Sequence, residues 1–198
     1  MKAPLPRLEI VDGLLRQARW VASPNHDERP VNCMPELIVV HGISLPAGEF
    51  GGPWIDRLFT NRLPPEAHPS FAEIAALRVS SHVLIRRDGE LVQYVPFHRR
   101  AWHAGVSCWQ GRERCNDFSI GIELEGTDTS PYEPVQYRQL GAVVQALRHE
   151  YPGLVRRMPV GHADIAPGRK TDPGPAFDWQ ALAALLETPV APSPGRLA

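Results

Sequence analysis

Lysine is nearly absent from this sequence of 198 residues, although basic residues are common. Only Lys2 and Lys170 occur among 21 lysine and arginine residues, and the formal net charge is -1. Because the charges nearly balance, we do not expect nucleic acid or an anionic membrane as a general partner. Lys170 therefore stands out as a compact cation in a chain that otherwise uses arginine.

Cysteine is also scarce. The three residues Cys33, Cys108 and Cys115 are an odd number without CxxC spacing, which argues against a disulfide framework or a thiolate zinc site. We expect buried or half-buried thiols, since free cysteine often packs as a small hydrophobic residue.

Long apolar runs are missing as well. The first twenty residues, MKAPLPRLEIVDGLLRQARW, interrupt each apolar stretch with a charge or a proline. They lack the apolar core of a secretory signal, and no later segment is apolar enough to span a bilayer. We therefore predict a cytoplasmic protein without membrane association.

The remaining composition fits one globular domain, because 43% of the residues are hydrophobic and both charge signs are mixed. A chain of this length can bury a sizeable core. We predict a single domain over residues 1–187. The tail 188–198, TPVAPSPGRLA, has little apolar content and is predicted to be disordered. The sequence leaves the oligomeric state open.

Two apolar runs predict buried strands. The run ELIVVHG, residues 36–42, places His41 at the carboxyl end of a strand. In DFSIGIELEG, residues 117–126, side-chain alternation predicts two faces. We expect one face to carry Ile120, Ile122 and Leu124, and the other to carry Gly121, Glu123 and Glu125.

Turn and capping signals predict the other elements. Asp88-Gly89 favours a tight hairpin turn, and Ser70 with Glu73 resembles a capping box that predicts a helix in SFAEIAALR. Further helices are predicted over Trp54–Phe59, over residues 134–151, and after an N-cap at Asp178. Interleaved strands and helices with a hairpin indicate an α/β domain, with a mixed central β-sheet flanked by helices.

A long segment rich in glycine and proline, Ser44 to Pro69, follows the first of these strands. Loops of this length in compact domains are often functional. We predict that it forms a wall or a lid of a binding cleft.

Three residues have the chemistry of catalytic zinc ligands: His41, His162 and Asp172. Imidazole nitrogen and carboxylate oxygen both bind zinc, and three protein ligands leave a fourth position open. No local motif such as HExxH joins them, and either histidine alone could equally be a half-buried structural residue.

Two further residues could complete a hydrolytic site. Glu123 lies in an apolar strand, where it either pairs with an arginine or acts as a general base beside a metal. Lys170, in GHADIAPGRKTDPG, could stabilise a developing oxyanion as a point charge, or could simply face solvent. His103, after Trp102 in AWHAG, could line a cleft or cover the core.

Several long motifs in order carry a resemblance to a known family: VVHGISLP, EFGGPWID, LRVSSHVLIRRDGELVQYVPF, AWHAGVS, GRERCNDFSIGIELEGTD and GHADIAPGRKTDPGPAFDW. From about Leu14 to Glu187, the chain resembles the zinc-dependent N-acetylmuramoyl-L-alanine amidases. Within the family it is most similar to the cytosolic branch that acts on 1,6-anhydro-muropeptides.

The resemblance implies a fold shared with peptidoglycan recognition proteins. It implies zinc bound by His41, His162 and Asp172, with Glu123 as the base and Lys170 as the oxyanion-stabilising cation. The implied reaction is hydrolysis of the amide between the lactyl group of muramic acid and L-alanine in muropeptide recycling. The residues expected to contact the substrate are Arg78, Trp102, His103, Arg114 and Arg169.

Two other functions stay open at this point. A non-catalytic muropeptide sensor could use the same fold, although such modules often lack a zinc ligand. A lytic amidase acting outside the cytoplasm is the second alternative, and it should carry an export signal or a wall-binding domain.

Overall fold

The computed structural model describes residues 4–187, so the tail predicted to be disordered lies outside the described residues. The strands in this range are β1 (Ile10–Val11), β2 (Leu14–Leu15), β3 (Arg19–Trp20), β4 (His26–Asp27), β5 (Leu37–Ile43), β6 (Val83–Ile85), β7 (Leu91–Gln93), β8 (Arg100–Ala101), β9 (Cys108–Trp109), β10 (Arg112–Glu113), β11 (Ser119–Glu125) and β12 (Val160–Gly161). The α-helices are α1 (Trp54–Phe59), α2 (Pro134–Glu150), α3 (His162–Ile165) and α4 (Trp179–Leu186). Short 3₁₀ helices cover Pro69–Phe71, Cys115–Asp117 and Pro152–Leu154.

The central sheet of the described range has six strands in the order β12, β5, β11, β6, β7, β3. The first four run parallel, β7 is antiparallel to β6, and β3 is parallel to β7. The predicted α/β class with a mixed sheet is therefore confirmed. None of the described helices is long and apolar enough to cross a membrane.

The two faces of β11 are used as its alternation predicts. Ile120, Ile122 and Leu124 are fully buried in the main core, which also contains apolar residues of α2 and α4. On the opposite face, a smaller apolar cluster includes Val39 of β5 and Phe118 just before β11. The site described below lies on this second face, beside that cluster.

Most of the predicted turns and helices are confirmed. The β6–β7 hairpin turns at Asp88-Gly89, where Gly89 has φ +88°, a conformation that glycine adopts without strain. Pro134 occupies the first turn of α2, and the side chain of Asp178 accepts the Ala181 backbone N–H at 2.8 Å as the N-cap of α4. Helix α1 has the predicted bounds.

The predicted helix starting at Ser70 is wrong. The chain forms only the short 3₁₀ helix Pro69–Phe71 followed by turns, and the His68 Nδ1 atom accepts the Ser70 backbone N–H at 3.2 Å. Short helices depend on tertiary packing for their stability. Phe71 is fully buried, but most residues from 72 to 78 are exposed, so little packing supports a helix there.

The Ser44 to Pro69 segment is anchored to the sheet. Ile55, Leu58 and Phe59 pack in an apolar cluster with residues of β6 and β7. The Gly51 backbone N–H donates to Oε1 of Glu125 at 2.7 Å. The segment is therefore held against the carboxyl end of β11, as a wall of a cleft requires.

Replacing Asp178 by alanine is expected to lower the free energy of unfolding by about 1 kcal/mol, because the N-cap hydrogen bond of α4 is lost. Urea denaturation followed by circular dichroism measures the change. The exposed neighbour Gln180 is the matched control, and Gln180→Ala should leave stability within about 0.5 kcal/mol. Equal effects of the two substitutions would contradict the capping role.

Candidate metal centre

Three adjacent segments meet at the carboxyl ends of parallel strands. His41 lies in β5, and β12 runs beside β5 with Gly161 paired to Val40. His162 begins α3 directly after Gly161, so its side chain comes next to His41. Asp172 follows in the loop after α3, and its backbone carbonyl accepts the Ala163 N–H at 3.0 Å. Parallel pairing therefore brings together residues that are remote in sequence.

Three electron-rich atoms converge at this point. The Nδ1 atoms of His41 and His162 are 2.9 Å apart, and Oδ2 of Asp172 lies 3.3 Å from the first and 3.1 Å from the second. Ligands of a tetrahedral zinc ion with bonds of about 2.1 Å would lie about 3.4 Å apart. Within residues 4–187, these residues are the one group of three with the donors and spacing to hold a metal ion.

The protonation of the cluster favours a cation. The Nε2 atom of His162 lies 3.2 Å from the Ala104 carbonyl, which can only accept, so Nδ1 keeps its lone pair. Burial lowers the pKa of His41 to about 4, and His162 and Lys170 contribute in the same direction. Burial alone would raise the pKa of Asp172, but the two imidazoles lower it below its ordinary value. Neutral imidazoles and a carboxylate are the forms that bind zinc.

An aromatic residue contacts the backbone next to Asp172. The Tyr132 hydroxyl donates to the Pro173 carbonyl at 3.0 Å, next to Asp172. Gly42 makes room for this contact, because a Cβ atom there would lie 2.3 Å from the Tyr132 hydroxyl oxygen. The aromatic ring thus packs directly against the strand that carries His41.

Glu123 lies beside His41. It pairs with His41 in the parallel register of β5 and β11, so the two side chains are neighbours on one face. Its Oε2 atom is buried without a hydrogen-bond partner. Burial and the charge of Asp172 raise the pKa of Glu123 well above its ordinary value, against the opposing effect of Lys170.

Glu125, two residues further on the same face, has a different environment. Its carboxylate accepts the backbone N–H groups of Gly51 at 2.7 Å and Arg87 at 3.2 Å, and pairs with the Arg86 guanidinium at 3.3 Å. Of the two glutamates, therefore, only Glu123 has a buried carboxylate oxygen without a hydrogen-bond partner.

The basic residues predicted for the site differ in their exposure and in their hydrogen bonds. Lys170 is exposed, and its charge acts on both Glu123 and His41. Arg169 donates through Nη2 to the carbonyls of Ala104 at 2.6 Å and Val106 at 2.7 Å. These contacts place its guanidinium against the segment that supports His162.

Arg114 and Arg169 line one cavity of about 510 Å³. The Arg114 side chain is 71% exposed and reaches Asp117 at 3.4 Å. Arg78 is also exposed, and it donates to the carbonyls of Ala76 and Leu77 in its own segment. The structure therefore gathers two of the three arginines at a cavity, whereas Arg78 only contacts local backbone.

Trp102 and His103, the two aromatic residues predicted to contact the substrate, have different surroundings. Trp102 is half-buried, and a hydrogen bond from its side chain helps to lower the pKa of Asp27. His103 is buried, with its Nδ1 atom 2.9 Å from His41 Nε2 and its Nε2 atom 3.1 Å from Ser119 Oγ. These contacts leave His103 no free ring nitrogen for a substrate.

Several residues that shape the centre have no sequence signal of their own. The Ala104 carbonyl holds His162 through a backbone atom, which any residue type would supply. Ser119 and Tyr132 act through single hydroxyl groups contributed from remote segments. Ser119 could have been found only from its place on the same predicted strand face as Gly121 and Glu123.

The contrast between the two strand glutamates predicts opposite effects on stability. Glu123→Gln should raise the free energy of unfolding at pH 7 in chelator-treated protein, because it removes a buried carboxyl group whose ionisation is disfavoured in the folded state. Glu125→Gln should lower it by about 2 kcal/mol, because it removes the most buried of the carboxylates that pair with Arg86. Arg86 keeps its ion pairs with Asp56 and Glu90. Urea denaturation measures both changes.

The pH dependence provides a control for the Glu123 effect. Because the folded-state pKa of Glu123 lies above its unfolded value, the contribution of this group to stability is most favourable below the ordinary pKa of 4.5 and is lost as pH rises toward the folded value. The advantage of Glu123→Gln should therefore vanish at pH 4 and grow toward neutral pH. An advantage independent of pH, or a loss matching that of Glu125→Gln, would contradict this account.

Comparison with known proteins agrees with this arrangement. Residues 30–175 match the family N-acetylmuramoyl-L-alanine amidase. The chain is 67% identical over 177 residues to the 1,6-anhydro-N-acetylmuramyl-L-alanine amidase AmpD of Escherichia coli strain K12, which covers 89% of this chain and 96% of that protein. The corresponding enzyme of Enterobacter cloacae is 65% identical over 90% of this chain and 95% of its own length.

Solved structures show the same relationship. A crystal structure of a selenomethionine derivative of AmpD superposes with a TM-score of 0.87 at 64% identity, covering 89% of this chain and 98% of that one. The Escherichia coli amidase AmiD, in complex with anhydro-N-acetylmuramic acid-L-Ala-D-γ-Glu-L-Lys, superposes at 0.55 with 29% identity, covering 90% of this chain and 65% of that one. Because the family match spans most of the chain and relatives align along nearly its whole length, the chain belongs to the N-acetylmuramoyl-L-alanine amidase family.

Proposed function

We propose that the chain is a zinc-dependent cytoplasmic amidase that recycles cell-wall muropeptides. Its reaction is hydrolysis of the amide between the lactyl group of 1,6-anhydro-N-acetylmuramic acid and L-alanine of the stem peptide. The observation that carries the proposal is the convergence of His41, His162 and Asp172 beside the unpartnered carboxyl group of Glu123. The substrate assigned to the Escherichia coli relative at 67% identity supports the choice of bond.

The donor set fits zinc. Two imidazole nitrogens and one carboxylate oxygen are the ligands of a catalytic zinc site with an open fourth position. When bound, zinc supplies a Lewis acid that polarises the amide carbonyl and lowers the pKa of water toward neutrality. The residues that would hold it are His41, His162 and Asp172.

Glu123 handles the proton in this scheme. Its free Oε2 atom accepts a proton from the attacking water as the new C–O bond forms. The same group then gives the proton to the L-alanine nitrogen as the C–N bond breaks, so that the amine leaves neutral. The pKa of Glu123, raised by burial and by the charge of Asp172, suits both steps, because a more basic carboxylate accepts a proton more readily.

Lys170 would stabilise the oxygen of the attacked carbonyl. Its ammonium is exposed on a loop, and its charge lowers the pKa values of both Glu123 and His41. A compact ammonium on a flexible stem can approach a developing oxyanion, whereas the planar guanidinium favours whole carboxylates. This difference explains why one of the two lysines lies beside Arg169.

The cavity with Arg114 and Arg169 would receive the stem peptide. Its volume of about 510 Å³ and its two guanidinium groups suit a peptide that carries several carboxylates. Trp102 and Arg78 remain predicted substrate contacts on the basis of the family resemblance.

The reaction predicts a specific product. Purified protein incubated with anhydro-muropeptide and ordinary muropeptide should release a peptide that begins with L-alanine, mainly from the anhydro sugar. A zinc chelator should abolish the release, and added zinc should restore it. Mass spectrometry of the products measures all three results.

Glu123→Gln is the matched control for this experiment. It should bind zinc like the wild type but lose about 100-fold to 10,000-fold in kcat, the range for a removed general base. If the wild type binds zinc but releases no product, the result would instead favour a muropeptide-binding module. Near-native turnover by Glu123→Gln would exclude Glu123 as the base.

The role of Lys170 predicts a loss that arginine does not restore. Lys170→Ala should lower kcat by about 100-fold, the scale for one lost oxyanion donor, with a smaller change in KM. Lys170→Arg should recover little of this loss, although the charge is kept. Steady-state kinetics compare the variants, and full activity of Lys170→Arg would refute the argument from the shape of the cation.

A further inference from the structure

The direction of one hydrogen bond decides whether His41 can bind a metal. Its Nδ1 atom faces His162 and Asp172, so it can bind a metal only when the proton of the neutral ring is on Nε2. Nε2 contacts Nδ1 of His103 at 2.9 Å. An imidazole nitrogen can donate or accept, so this contact alone does not fix the direction.

The far end of the same chain of contacts fixes it. The Ser119 hydroxyl lies 2.5 Å from the Cys115 carbonyl, which can only accept, so the hydroxyl proton points there. Ser119 Oγ must then accept from Nε2 of His103 at 3.1 Å. With its proton on Nε2, His103 has a lone pair on Nδ1, which accepts the Nε2 proton of His41.

We propose that His103 is a positioning residue for the metal centre. Ser119 and the Cys115 carbonyl hold its tautomer, and His103 in turn keeps Nδ1 of His41 unprotonated and aimed at the ion. The proposal rests on the metal site of the proposed function, and it assigns His103 a task different from contact with substrate. A ligating histidine commonly donates its other ring N–H to a carboxylate, a backbone carbonyl or water, and such partners affect metal affinity.

The strand leaves room for this ring. A Cβ atom at position 121 would lie 2.4 Å from Cγ of His103, so only glycine allows the imidazole to rest on β11. The neighbouring Ser119 and Glu123 lie on the same face of the strand. The ring is thereby packed between its hydrogen-bond partners and the backbone.

One short segment supports both histidine ligands. The Asn116 side-chain oxygen accepts the backbone N–H groups of His103 at 3.1 Å and Ala104 at 2.8 Å. His103 then orients His41 through its ring, and Ala104 orients His162 through its carbonyl at 3.2 Å. Asn116 therefore couples the two supports.

A half-buried arginine secures the segment at the far end of these hydrogen bonds. The Arg29 guanidinium donates to the carbonyls of Asn116 at 3.2 Å, Asp117 at 2.9 Å and Ser119 at 2.9 Å. These bonds fix the backbone between Cys115 and Ser119. The Cys115 carbonyl, which sets the direction of the hydrogen bonds from His41 to Ser119, thus lies in a segment that the fold holds in place.

The test compares two variants of similar shape. In His103→Asn the side-chain oxygen can replace Nδ1 as an acceptor, whereas His103→Leu offers none. Competition with a chromophoric chelator should show zinc binding weakened about 10- to 100-fold in His103→Leu, and within about fivefold of the wild type in His103→Asn. Equal affinities of His103→Leu and the wild type, or equal losses in both variants, would overturn the proposal.

A second measurement needs neither variant to fold. Long-range ¹H–¹⁵N correlation spectra of the zinc-free wild type report the protonated nitrogen of each imidazole. The expected result is Nε2 protonation of both His41 and His103, and loss of the single His103 tautomer in Ser119→Ala. A proton on Nδ1 of His103 would refute the proposal.

The experiments distinguish a failure of the positioning role from a failure of the proposed function. If the wild type fails to bind zinc, the metal assignment is wrong, and with it the positioning role. If the wild type binds zinc and releases peptide but His103→Leu is unchanged in affinity, only the positioning role is wrong.

Discussion

The parallel pairing of β5 with β11 is the constraint on which the site depends. Its register sets Glu123 directly beside His41, and the next strand, β12, delivers His162 from the other side. A shift by one residue would turn Glu123 into the apolar core and bring Leu124 to the metal face. The apolar residues of β11 prevent this shift, because Ile120, Ile122 and Leu124 are fully buried against α2 and α4. Core packing therefore maintains the relative positions of Glu123, His41 and His162.

Two glutamates on one strand face show how surroundings divide structural from chemical roles. Glu125 is matched by an arginine and two backbone N–H groups, so its charge stabilises the fold and anchors the Ser44 to Pro69 segment. Glu123 has no such partners, and its burial costs stability while making it a better proton acceptor. Of the two glutamates, Glu123 thus carries the cost of an unpartnered buried carboxyl group, as expected where activity and stability conflict.

Much of this arrangement follows from the sequence, for identifiable reasons. Strong alternation predicted β11 and its two faces, and the ligand chemistry of His41, His162 and Asp172 predicted the cluster that the fold assembles. The helix expected after Ser70 does not form, since a capping signal cannot compensate for absent packing. The role of His103 could not be read from its motif. It depends on a hydroxyl and a carbonyl that only the folded chain brings within reach.

The close fit between Gly42 and Tyr132 makes these two positions interdependent. Since a Cβ atom at 42 would collide with the Tyr132 hydroxyl at 2.3 Å, a larger residue there requires a smaller or displaced side chain at 132. The order in which the two residues are substituted therefore matters. A smaller residue at 132 makes space for a side chain at 42, whereas a side chain introduced first at 42 collides with Tyr132 beside His41. If a relative differs at both positions, we expect its two residues to be accepted here only when both are introduced together.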